Sequence, residues 1–273
     1  MCEIHGVDFS GARRAGRKIW IASGQTDGER LVIQRLVRAA DLPDSKSERD
    51  VALRALRRFI AERPGDAFGL DFPFALADEM MAERTWKAFA LAFGTRYTSP
   101  EAFRARCRKA GKPERKRVTD IDAKTPFSPY HLWLHRQTFY GIRDVLAPLV
   151  RDGLACVLPM QKARAGRAWI LEICPASTLK KLSEELGKKL YIPYKGRGAE
   201  RREARKCILG TLECCTQLHV CDDHLRETII ADPEGDALDS VVAALGVDRA
   251  LRHCAFPRQD WQPVFAREGY VYA

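Results

Sequence analysis

The stretch Ile4-His5-Gly6-Val7-Asp8-Phe9-Ser10-Gly11-Ala12 is an apolar run that ends in an acid and passes at once into glycine-containing backbone. Read as a strand, it puts the Asp8 carboxylate at the open edge of a sheet, where α/β folds bind ligands. Ala67-Phe68-Gly69-Leu70-Asp71-Phe72-Pro73 repeats the arrangement. A third acidic pair, Asp236 and Asp239, opens an apolar helical stretch near the C-terminus. Carboxylates at the ends of separate strands and at a helix start are what a magnesium-dependent phosphoryl-transfer site is made from.

Outward from Asp8, residues 3–8 read as one strand, 18–23 as a second and 31–36 as a third, with a glycine-based hairpin signal at Thr26-Asp27-Gly28. Ser47 is the expected N-cap of a helix to Glu62, in which Val51, Leu53, Leu56, Phe59 and Ile60 recur at helical spacing before Pro64-Gly65 stops it. The strand ending at Asp71 follows that helix and is expected to run parallel to the first, so that Asp8 and Asp71 face one crevice. From about 78 to 130 the chain reads as a mostly helical, basic insertion on the sheet. Residues 132–149 read as a long helix, and 155–158 and 169–173 as two more strands, the second placing Glu172 near its end. Pro175-Ala176-Ser177 opens a helix to about Leu186, residues 199–218 read as helical and basic at their start, and 236–245 as a short apolar helix. The fold expected is one α/β domain over 1–273: an antiparallel three-strand meander followed by parallel strands, flanked by helices on both faces.

At 273 residues, 46% hydrophobic and 30% charged, the composition is that of a globular protein with a full core. No run approaches the roughly 18 apolar residues that span a bilayer, and the N-terminus carries no leader-like pattern. The expectation is a cytoplasmic protein without a membrane partner. Nine cysteines at irregular spacings fit reduced thiols. A net charge of +10 favours polyanionic partners, although a solvated basic surface is the plainer explanation. The charge is clustered: Arg13, Arg14, Arg17 and Lys18 follow the first acid. Arg104, Arg106, Arg108, Lys109, Lys112, Arg115, Lys116 and Arg117 form a second group, and Lys195, Arg197, Arg201, Arg202, Arg205 and Lys206 a third.

Asp8, Asp71, Glu172, Asp236 and Asp239 supply enough hard oxygen ligands for Mg2+ or Mn2+. A lone Asp after a strand is more often a turn or cap residue; several in apolar segments weaken that reading. Asp236 and Asp239 share a helix face, and either can serve the helix dipole instead of a metal. Cys207, Cys214, Cys215, His219, Cys221 and His224 lack the paired spacing of a zinc site and read as thiols packed in a helix core. His5 reads as a packed strand residue. Lys124, Arg136 and Arg143 are candidates to hold a phosphate or to ion-pair with the acidic cluster, with solvated helix positions as the commoner explanation.

Gly6-Val7-Asp8-Phe9-Ser10-Gly11-Ala12, Gly69-Leu70-Asp71-Phe72-Pro73-Phe74, the Glu172 to Ala176 run and the Asp236 to Ala244 run together resemble the ribonuclease H-like nuclease family, the domain-of-unknown-function family numbered 429. The resemblance spans nearly the whole chain, to Glu268-Gly269-Tyr270-Val271-Tyr272. It implies a ribonuclease H-like fold with Asp8 as the first-strand acid. Asp71 stands where Holliday-junction resolvases of that fold carry their second acid, and Asp236 with Asp239 where they carry the C-terminal ones. The implied activity is metal-dependent phosphodiester hydrolysis with Asp8, Asp71, Asp236 and Asp239 as catalytic acids. Arg13, Arg14, Lys124, Arg136, Lys195, Arg201, Arg202 and Arg205 are the expected nucleic-acid contacts. Two rivals remain at this level. Asp8-Phe9-Ser10-Gly11 also resembles the phosphate-binding turn of actin-like ATPases and sugar kinases, and a non-catalytic nucleic-acid-binding module would carry the same basic loops.

Overall fold

A computed structural model describes residues 2–110, 114–253 and 262–273. Lys112 and Cys254 lie outside the described residues. β1 (Glu3–Asp8), β2 (Trp20–Asp27) and β3 (Arg30–Arg38) form the expected antiparallel meander, closed at the β2–β3 turn by Gly28 at φ +58°. α1 (Arg49–Ala61) follows, with Glu48 rather than Ser47 at its N-cap and no side chain capping it. Its stability comes instead from the buried stripe of Leu53, Leu56, Phe59 and Ile60. β4 (Ala67–Leu70) then pairs parallel to β1.

Among the described residues the segment after β4 is mostly helical, as expected. α2 (Trp86–Arg96) is capped by the Thr85 hydroxyl, α3 (Pro100–Ala110) buries Phe103 and Cys107, and α4 (Val118–Asp122) is a single short turn. The long helix expected over 132–149 comprises α5 (His135–Tyr140), a π-helical turn over Gly141–Leu146 and α6 (Ala147–Arg151). β5 (Ala155–Leu158) and β6 (Ala168–Ile173) extend the sheet in parallel fashion. α7 (Pro175–Leu186) ends on Gly187 at φ +62°, a left-handed C-cap that glycine adopts without steric cost.

α8 (Ala199–Cys215), β7 (Leu218–Val220) and α9 (Asp223–Ala231) lead to α10 (Asp236–His253), which is longer than the expected 236–245. α11 (Phe265–Glu268) and β8 (Val271–Tyr272) close the chain. β7 and β8, three and two residues long, carry too short a pattern to be read as strands beforehand. The eight-stranded mixed sheet has the order β5-β6-β4-β1-β2-β3-β7, with β8 on β6. One face packs against α1, α2, α3, α5 and α6, and the other against α7, α8 and α10. Among the described residues no helix is long and apolar enough to cross a membrane.

The helix that matters most is α10, which crosses β1 and β4 at their glycines. A Cβ at Gly6 would stand 2.0 Å from the Ser240 carbonyl oxygen and 2.2 Å from the Ala244 nitrogen. One at Gly69 would stand 2.6 Å from Val247 and 2.7 Å from Ile173 side-chain atoms. Gly6 and Gly69 are register partners in the parallel pair. Two flat glycine positions side by side let the helix backbone lie directly on the sheet.

Candidate carboxylate site

Side chains alternate along a strand, so Gly6 and Asp8 share the face that α10 covers, as do Gly69 and Asp71. The glycine of each Gly-x-Asp copy admits the helix; the aspartate meets its first turn. The Asp71 amide donates to the Val7 carbonyl at 3.1 Å, which keeps the two copies level beyond the end of β4. Asp8, Asp236 and Asp239 each offer a carboxylate oxygen, and these oxygens lie within 4.8 Å of one another. Asp71 adjoins them at the mouth of the same cleft, which has a volume of about 410 Å3 and is also lined by Ser10, Lys18, Gln137, Lys195 and Arg197. Asp232 caps α10 by accepting from the Ala237 amide at 2.9 Å. The helix terminus is thereby served, and Asp236 and Asp239 are left to face Asp8.

The electrostatics are those of crowded, desolvated carboxylates. Burial, followed by the charges of Asp236 and Asp239, pushes the Asp8 carboxyl well above its ordinary range. Desolvation and the Asp239 charge push Asp71 up to about 8, with Lys195 opposing. Asp236 is raised by burial, again against Lys195. The Lys195 ammonium lies 2.6 Å from Asp239 Oδ2 and 3.4 Å from Asp236 Oδ1. Burial would lower its pKa, but Asp239, Asp8 and Asp236 outweigh that and raise it. Tyr194 Oη donates to Asp239 Oδ1 and fixes that carboxylate. One ammonium against four acids is too little positive charge to keep them all ionised, so burial and mutual repulsion favour protons on them. Hard oxygen donors crowded in this way suit a divalent cation that would displace those protons.

Other expected site residues fall elsewhere. Glu172 lies outside the group formed by Asp8, Asp236 and Asp239. It is paired with Leu70 rather than Gly69, one residue out of phase with the Gly-x-Asp copies. Its side chain therefore leaves β6 on the face opposite α10. At the strand end it still lines a pocket with Asp71, Lys195 and Asp239, and its charge adds to the rise at Asp71. There it pairs with the Arg117 guanidinium and accepts from the Phe74 amide at 2.9 Å. Arg117, counted in the basic run, is fully buried and also bonds Asp120 and the Glu268 carbonyl. Arg205 is a correction to the expected contacts. It is 2% exposed, and its guanidinium donates to the carbonyls of Tyr194, Gly196 and Ile230. It clamps the backbone on either side of Lys195 instead of meeting a ligand. Lys195, expected as a nucleic-acid contact, sits among the acids.

Arg13 and Arg14 are exposed in the loop after β1. Lys124 pairs with Glu184, Arg136 with Glu101 and Arg202 with Glu227, while Arg201 donates to the Pro193 carbonyl. Arg143 pairs with Asp144 and lies over the Phe139 and Tyr140 rings. Cys207 and Cys214 are exposed rather than packed in a helix core, because they fall on the outer face of α8. Among the described residues the Cys/His stretch forms no ligand group. His5 is packed, stacked on Phe68 and hydrogen-bonded to Ser23 and Asp66. Sequence reasoning missed Tyr194 and Gln137 in the site; the adjacency of Tyr194 to Lys195 was the signal available for the first.

Comparison with known protein families, with curated proteins and with solved structures finds no match for this chain.

Proposed function

We propose that this chain belongs to the class of ribonuclease H-like proteins that use a divalent metal held by carboxylates for phosphoryl transfer. Within that class, we propose a nuclease that hydrolyses phosphodiester bonds in nucleic acid with Mg2+ or Mn2+. The observation that carries the proposal is the convergence of Asp8, Asp236 and Asp239 on one point, with Asp71 beside it, from strands and a helix far apart in sequence.

Asp8, Asp236 and Asp239 would hold the cation, with Asp71 adjoining. When bound, it supplies Lewis-acid stabilisation of the charge that develops on phosphate oxygens. The chain does the rest. The end of β1 holds Asp8 rigid, Tyr194 orients Asp239, and Arg205 clamps the loop that carries Lys195. With those acids engaged by a cation, Lys195 would be the group at the cleft placed to meet a phosphate. Lys18 and Arg197 at the same cleft steer a polyanionic backbone.

The ATPase or phosphotransferase alternative draws less support. A Cβ at Gly11 would stand 2.6 Å from the Arg136 backbone, so the Ser10-Gly11 turn is packed under α5 instead of opening as a phosphate cradle. A purely binding module gains nothing from crowding acids whose burial and mutual repulsion raise their pKa values.

The test is a cleavage panel of single-stranded, duplex, hybrid and branched nucleic acids with Mg2+ or Mn2+. Cleavage is expected from the wild-type protein and abolished in Asp8→Asn. Lys195→Gln should bind Mn2+ at least as tightly by calorimetry while cleaving more slowly. No metal-dependent cleavage of any substrate, together with a nucleotide-induced rise in Tm, would favour the phosphotransferase reading.

A further inference from the structure

The segment from Phe127 to Arg136 has two flanks, and an exposed aromatic group stands between them. The Phe127 and His131 rings are stacked at 4.2 Å and 14°, and the Trp133 indole stands edge-on to both at 5.3 and 5.5 Å. Trp133 is 72% exposed and its neighbour Leu132 55% exposed. Trp is normally more buried than this, and an exposed Trp standing over half-buried aromatic neighbours marks a contact surface. The cluster is held in place by its own backbone. His131 N donates to the Ser128 carbonyl at 3.0 Å, Leu134 N to the His131 carbonyl at 2.9 Å, and the Thr138 hydroxyl to the Pro129 carbonyl at 2.6 Å.

On one flank Phe127 lines a pocket of about 250 Å3 together with Asp71, Lys195 and Asp239. That pocket joins the aromatic cluster to the carboxylates. On the other flank, Leu132 and Arg136 line a groove of about 930 Å3 with Arg104, Arg108 and Lys109. Glu101 also lines the groove and pairs with Arg136, which leaves the remaining three cations in excess. The surface therefore runs from acids through aromatics to a basic groove.

We infer that this surface binds single-stranded nucleic acid, with bases stacked on Trp133 and Phe127 and the phosphate backbone following Arg104, Arg108 and Lys109. The inference rests on the nuclease reading and names its substrate class. Aromatic rings recognise bases only where the base faces are free, and cations beside them track the backbone; this pairing is how single strands are bound without sequence preference. A duplex hides its base faces within its own stack.

The test is fluorescence anisotropy of labelled single-stranded and duplex oligonucleotides in EDTA, so that binding is read without cleavage. Single strands are expected to bind more tightly than duplex of the same length. Trp133→Ala should weaken single-strand binding roughly 5- to 150-fold, as expected for about 1–3 kcal/mol of base stacking. Trp133→Phe should restore most of it, and the exposure of Trp133 means that both variants should keep the wild-type Tm. Arg104→Gln with Arg108→Gln should flatten the slope of log affinity against log salt by about 0.7 for each phosphate no longer neutralised. Equal or tighter duplex binding, or an unchanged Kd in Trp133→Ala, overturns the inference. If duplex is cleaved with metal and Trp133→Ala has no effect, the nuclease reading stands and this inference fails. If single strands bind through Trp133 but nothing is cleaved, the inference stands and the catalytic reading fails.

Discussion

Asp71 shows how much a single residue's surroundings decide. As a residue type it is an ordinary carboxylic acid; in the cleft, desolvation and the charge of Asp239 push it up to about 8. The sign of its effect on stability follows. The unfolded chain releases this proton near pH 4 and the folded chain near pH 8, so the folded state binds the extra proton between those values. Its contribution to stability is full below pH 4 and is lost as pH rises towards 8. The metal-free protein should therefore lose Tm from pH 5 to 8 more steeply than Asp71→Asn does, and Mn2+ should recover the loss at the alkaline end while releasing protons. Parallel Tm–pH profiles for the two proteins in EDTA would contradict the assignment. Lys195 gives the converse case. A basic residue in a basic run reads as a surface contact, but its ammonium is held by Asp239 and Asp236.

At the scale of elements, the site depends on how closely α10 approaches the sheet. Gly6 faces helix backbone, which cannot move aside, whereas Gly69 faces chiefly the side chains of Val247 and Ile173. Gly6→Ala should therefore cost about 3 kcal/mol or more, and Gly69→Ala about 1–3 kcal/mol, through overpacking. Urea denaturation checks the order, and Gly6→Ala proving the milder change would remove α10 from its assigned role. Both glycines stand in motifs whose acids are the conspicuous feature. Their packing role emerges only when the register pairs Gly6 with Gly69. Register also explains Glu172. A strand ending in an acid is readable in 169–173, but which side of the sheet the acid faces depends on a one-residue phase that no local pattern reveals.

Across the whole molecule, buried Arg117 ties distant parts of the chain together. It joins α4 through Asp120, β6 through Glu172 and the C-terminal segment through the Glu268 carbonyl. Asp120 and Glu172 raise its pKa despite the burial that opposes them. Arg117→Ala would leave two buried carboxylates without their cation, at a cost of about 3–5 kcal/mol. Thermal denaturation should show a loss of that order. A change within about 0.5 kcal/mol would mean that water reaches and solvates the network. Within the charged run that reads as a uniform basic surface, Arg117 is structural while Arg104, Arg108 and Lys109 line the groove. Burial separates them, and burial is set by the fold as a whole.

By itself, the sequence determined the order and type of most elements and the two Gly-x-Asp strand ends. Apolar periodicity, turn residues and strand-end acids are local signals carried by a few neighbouring residues. Only the tertiary structure decided which acids meet. It placed Asp236 and Asp239 against Asp8, paired Glu172 with Arg117, drew Lys195 in and buried Arg205. The reason is physical. Strand phase, helix approach and desolvation arise from contacts between residues tens to hundreds of positions apart, and no stretch of sequence contains both partners.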